Sequence, residues 1–150
     1  MSRSLRTGSS RSTTSPDRPA ERRQAGSLGV ALKSFRVTRL YTGEDGESHF
    51  EDVDVPLIDR GGIGQISQLQ GATGVVFRET AGDYDFDFHN APRRQYVIHL
   101  DAAVEIETGD GTKRTLEPGD ILLAEDTTGH GHISRAVDGR PRRSIFVTLD

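Results

Sequence analysis

The chain has no cysteine, no tryptophan and a single methionine among its 150 residues. Without cysteine there is no disulfide framework, no thiolate zinc site, no iron–sulfur cluster and no cysteine nucleophile. Any metal would have to rest on His, Asp, Glu or Gln. Long apolar runs are missing too. Nothing approaches the ~20 residues of a membrane-spanning helix. The longest apolar stretch near the N-terminus, Leu28–Leu32, is too short for the core of a secretory signal. The expectation is a cytoplasmic protein with no membrane partner.

Charge is unevenly spread. Residues 1–27 carry six Arg against two acids, a charge of +4, whereas residues 28–150 hold 13 basic and 21 acidic side chains, a charge of −8. The first segment is rich in Ser, Thr, Arg, Pro and Gly and has few apolar residues. Such a composition predicts a disordered, solvated tail ahead of one domain over 28–150. The acidic body lacks the cationic face that phosphate contact needs, so no nucleic-acid partner is expected.

From Ser34 onward the sequence falls into short alternating runs broken by Gly, Asp and Pro. Strands are predicted at 34–41, 49–58, 75–80, 84–89, 94–101, 103–107, 113–116, 121–125, 131–137 and 144–149. Residues 60–73, with four glycines, read as a loop holding a short strand or a helical turn. Thr108-Gly109-Asp110-Gly111 is a hairpin turn. No convincing helix of ten or more residues appears. The fold class is all-β, an antiparallel sandwich or small barrel.

Two stretches resemble the motifs of the cupin superfamily, whose first has the form G-x5-H-x-H-x3/4-E-x6-G and whose second has the form G-x5-P-x-G-x2-H-x3-N. His89 falls on the first His, Ala91 on the second, and Gln95 on the Glu. Gly119 matches the opening Gly of the second motif, and Glu125–Gly129 replaces its Pro-x-Gly turn. His130 falls on the ligand position by strict counting, or His132 if the turn is two residues longer. The stretch around Ala124–His132 is also similar to small single-domain bacterial cupins. The resemblance implies a jelly-roll barrel with an internal site, for which His89, Gln95, His132 and His130 are the candidate metal ligands. Fe, Mn, Ni or Zn would suit such a mixed N/O set. It also implies a homodimer, for which Ser34–Tyr41 and Tyr84, Phe86 and Phe88 offer apolar surface.

The same pocket supports chemistry without metal, because a histidine near a carboxylate can move a proton near neutral pH. His89, His132 and Asp87 are the candidate catalytic residues, with Asp87 or Glu125 orienting the imidazole. Asp87 enters because strand alternation from His89 would carry it inward and turn Tyr84, Phe86 and Phe88 outward. Arg94, Arg78, Tyr96 and His99 are the candidate substrate-binding residues. Arg135, Arg140, Arg142 and Arg143 read as a solvated face or a dimer rim. Acids beside the His positions point to a cation or cationic group rather than phosphate. Two functions remain open: an enzyme acting on a small polar or carboxylated metabolite, or a non-catalytic binding or sensing protein.

Overall fold

Alternation of apolar and polar residues with period two makes a strand whose faces differ, and two such faces bury each other. The computed structural model describes residues 34–150, so the expected tail lies outside the described residues. Strands β1 (Ser34–Thr42), β2 (Ser48–Pro56), β5 (Gly74–Thr80), β7 (Gln95–His99), β10 (Ile121–Glu125) and β12 (Arg142–Thr148) form a six-stranded sheet. Its order is β2-β1-β10-β7-β12-β5. Strands β6 (Asp85–His89), β8 (Val104–Thr108), β9 (Lys113–Leu116) and β11 (His132–Ala136) form a second sheet, ordered β6-β11-β8-β9. The pairing of β1 with β10 is parallel, and the other pairings within these two sheets are antiparallel. This is the all-β jelly roll that the alternating runs and the resemblance imply.

The predicted strands are present, with one addition. Within the stretch read as a loop, Gln65–Ile66 (β4) pairs with Ile58–Asp59 (β3) around a 3-10 turn at Gly61–Ile63. No helix among the described residues is long and apolar enough to cross a membrane.

The core forms where the two inner faces meet. Leu40, Val97, Leu122 and Ala124 from the larger sheet pack with Val104, Ile106 and Leu116 from the smaller one. Leu40 and Ile106 are almost wholly buried, each worth roughly 1.5–3 kcal/mol relative to exposure. The alternation is clean along β7, where Gln95, Val97 and His99 face inward, and along β8, where Val104, Ile106 and Thr108 do.

The alternation fails along β6, and this matters for the site. Opposite it, β11 steps two residues from His132 to Ser134, while β6 steps three from His89 to Phe86. The extra residue is a bulge on the edge strand of the smaller sheet, where bulges concentrate. It puts His89 and Phe86 on the same inner face and leaves Asp87 and Phe88 outside it. The expected placements of Asp87, Tyr84 and Phe86 are thereby corrected. Asp87 does not enter the barrel, whereas Tyr84 and Phe86 line its cavity, Phe86 keeping about half of its surface exposed at 51%.

Gly131 holds the other side of this arrangement. Its φ is +81°, and a Cβ there would collide with the backbone carbonyl of His89. Only glycine lets the chain turn this closely before His132 pairs with His89. Gly131→Ala is therefore expected to lose roughly 1–3 kcal/mol from the strained φ alone and to move the ring resonances of both histidines. Urea unfolding and NMR spectra check this, and wild-type stability in the variant would refute the close approach.

Candidate functional site

The inner faces enclose a cavity of about 300 Å³, at the lower end of the roughly 300–1,000 Å³ typical of small-molecule sites. One end of it is built from imidazoles. His132, at the start of β11, is buried, and its Nδ1 lies 2.5 Å from Asp126 Oδ2. Asp126 directly follows β10 and has no exposed surface, and its Oδ2 also accepts the Ser48 hydroxyl at 2.8 Å. The carboxylate accepts from His132 Nδ1–H, which turns Nε2 away from Asp126.

His89, across the ladder, is fixed in the same way. Its Nδ1 donates to the backbone carbonyl of Asp87 at 2.8 Å, again leaving Nε2 free. The two rings are 4.4 Å apart between centroids, and the edge of Phe86 closes on His89 at the same spacing. Burial pushes the His89 imidazole below its ordinary value of 6.5, aided by the charges of His132 and Arg78 and opposed by the Asp87 carbonyl and Asp126. His99 is buried on β7, donating Nδ1–H to the Asp120 carbonyl at 3.0 Å. Burial and the charge of Arg142 push it down as well. A neutral imidazole with a bound Nδ1–H and a bare Nε2 is a proton acceptor.

Of the sequence-predicted residues, the structure brings His89, His132, Gln95, His99 and Arg78 to this one cavity. It takes four others elsewhere. Asp87 turns its carboxylate back to the Phe88 amide at 2.8 Å. Arg94 is tied to Glu125 at 2.6 Å and to Asp150 at 3.3 Å. Tyr96 faces the opposite side of its sheet and donates to Gln70 Oε1 at 2.6 Å. His130 pairs with Glu47 at 2.9 Å and stacks on Phe88 at 3.8 Å, so His132 is the histidine of this turn that enters the cavity. Glu125 does not orient an imidazole either, because it holds Arg39 and Arg94.

Three participants were missed. Asp126 shares the parity of Leu122 and Ala124, a signal the turn-like sequence around it obscured. Tyr84 was placed on the wrong face by the bulge. Arg142, read as solvated, is 7% exposed and lines the cavity. It begins an alternating series with Ser144 and Thr148, both buried, which marks the inner face of β12.

The donor set does not fit the tightly held divalent cation that the cupin resemblance implies. The anchored histidines would suit ligation, but the histidine end offers only His89, His132 and the neutral Gln95 amide, and Ala91 presents a methyl to the cavity. Among the described residues no three His, Cys, Asp or Glu side chains gather as a metal cluster. No carboxylate lines the cavity, whereas Arg78 and Arg142 both do. Guanidinium walls are a less favourable setting for a cation than the acids beside the His positions led one to expect.

No protein-family model matches the chain, and no curated protein matches it. The solved structures similar in fold include the following two. Protein NMB1881 of Neisseria meningitidis has a TM-score of 0.40 at 14% identity, over 63% of this chain and 80% of that one. A protein described as ethanolamine utilization protein Q, from Salmonella typhimurium LT2, has a TM-score of 0.41 at 12% identity, over 77% and 96%.

The buried histidines set a pH dependence. With His89 and His99 both depressed from 6.5, the unfolded chain binds more protons than the folded one below that value. Their contribution to stability is complete above about pH 6.5 and is lost as pH falls toward the depressed values. Urea midpoints should therefore drop on acidification from about pH 7 to about pH 5, and the drop should shrink in a His89→Gln, His99→Gln variant. An equal drop in the variant would contradict this.

Proposed function

We propose that this jelly roll binds a small organic metabolite in its cavity and moves a proton to or from it, as in an isomerisation, epimerisation or dehydration. The reading rests on the buried His132–Asp126 couple beside the cavity. His132 Nε2 takes or returns the proton, Asp126 fixes the tautomer that presents this atom and stabilises the imidazolium, and His89 offers a second bare Nε2 4.4 Å away between ring centroids. Only one of two imidazoles this close is readily charged at a time, so one can accept a proton while the other stays neutral. Apolar walls from Val97, Ile106 and Leu122 keep bulk water from competing for that proton. Positioned acid/base groups of this kind typically contribute about 10²–10⁴-fold in rate.

The test is proton NMR in deuterated water on a panel of small 2-oxo, 2-hydroxy and sugar acids, watching for exchange at carbon or for new products. Wild-type protein is expected to act on at least one member. Asp126→Asn, which removes the acceptor for Nδ1–H, is expected to slow it by about 10²–10⁴-fold. Activity should survive dialysis against a chelator, while loss on chelation with recovery on adding one divalent ion would move the chemistry to a metal. No exchange anywhere would leave a non-catalytic binding protein, and an undiminished rate in His132→Ala would refute His132 as the group that moves the proton.

A further inference from the structure

The other end of the cavity holds a charge with nothing to balance it. Arg142 is 7% exposed, yet its Nε and Nη1 have no hydrogen-bond partner. Among the described residues no carboxylate lies within ion-pairing distance of it, whereas six other arginines each hold at least one. Its neighbour Arg143 takes Asp101 at 2.6 Å. Register places Thr80 directly opposite Arg142 on β5, and the buried Thr80 hydroxyl is unpartnered as well. The guanidinium of Arg142 sits 5.2 Å from the centre of the Tyr84 ring. Arg78 approaches the same ring at 5.2 Å and Phe146 at 5.8 Å. Aromatic faces alone do not account for two cations here. They repel each other, and burial together with Arg78 pushes the Arg142 guanidinium below its ordinary value. An uncompensated buried charge is among the most costly features a fold can keep. A ligand that brings the missing negative charge resolves it.

We propose that Arg142, with Arg78 and Tyr84, forms a carboxylate-binding subsite centred on Arg142, beyond His99 at the end of β7 away from Gln95. This rests on the acid/base reading above and names its substrate class, a small organic acid. The two ends are set by the strands. Gln95 on β7 pairs with Ala124, next to the histidine end, and His99 lies four residues on, about 13 Å along an extended strand. Val97, Ile106 and Phe146 lie between and contribute no charge. A ligand held by its carboxylate at Arg142 therefore lays an apolar or ring-like middle along these walls and presents its far end to the imidazoles. A planar guanidinium matches a carboxylate edge to edge. A phosphate, with oxygens in three directions, gains most from converging backbone N–H groups such as a helix N-terminus offers, and no α-helix borders this cavity.

The probes are benzoate, its neutral isostere benzamide, and phenyl phosphate, titrated into the full chain at low salt by calorimetry. Benzoate is expected to bind wild-type protein at least tenfold more tightly than benzamide and to weaken as salt rises. Arg142→Met should lose benzoate affinity at least tenfold, while its Tm stays level or rises because an unpaired charge has gone. Arg142→Lys should retain part of the affinity. Equal binding of benzoate and benzamide, no binding of benzoate, or undiminished binding in Arg142→Met would overturn the subsite. Tighter binding of phenyl phosphate would overturn the carboxylate assignment. If Arg142→Met does not fold, the benzoate–benzamide ratio and its salt dependence in wild-type protein decide alone. His132→Ala should keep benzoate binding, so a failure of proton transfer and a failure of this subsite give different results.

Discussion

Asp126 is the residue on which the arrangement of the barrel depends. Its carboxylate has no exposed surface, yet it holds Ser48 of β2 and His132 of β11. Its backbone carbonyl accepts the amide of Ala91, on the segment between β6 and β7. One residue thereby joins the edge of the larger sheet, the turn that leaves β10, and the strand that carries the imidazole. Burying a carboxylate this fully is costly unless its partners hold it. The cost is met in part only, since Oδ1 has no partner. The same contact that locks the turn selects the tautomer of His132, so local folding and the chemistry of the cavity share one interaction.

The second constraint is the separation of charge between the outside of the molecule and its interior. Residues 28–150 carry a net −8, and part of the outer acidity is neutralised by arginines, as in the pairs of Arg39 with Glu51 and Glu125. The cavity inverts this sign. It is bounded by three imidazoles and two guanidiniums and by no carboxylate. A negative body around cationic walls weakens the approach of large polyanions at long range. The acids beside the histidine positions pointed instead to a cation.

How much of this was legible in the sequence varies with the range of the interaction. Strand positions were readable because alternation is a local property, and so was the inward course of His89, Gln95, His99 and His132, each on or beside a strand with clear parity. The bulge was not readable, because it depends on how β6 pairs with β11 rather than on β6 itself. One extra residue reversed the placement of Tyr84, Phe86 and Asp87 together. Asp126 and Arg142 were hidden for another reason. Acids in turns and arginines near a chain end are usually solvated, and only the parity of Leu122 and Ala124, or of Ser144 and Thr148, marks these two as internal. Arg94 and Tyr96 show the converse. They lie beside an inward Gln95, but Arg94 is spent on Glu125 and Tyr96 takes the opposite parity.

The position that the cupin motif gives to a second histidine is the most informative difference. Ala91 is buried and faces the cavity, so the site is not an intact cupin centre with one ligand displaced nearby. A methyl there, a neutral amide at Gln95 and two guanidiniums beyond them are mutually consistent. Each lowers affinity for a cation, and the guanidiniums raise affinity for an anion. The retained histidines keep their Nδ1 anchors, which serve a proton acceptor as well as they would serve a ligand, because both require a bare Nε2 held in a fixed direction. Four lining positions, Ala91, Gln95, Arg78 and Arg142, thus set the charge of this interior while the imidazole pair stays in place.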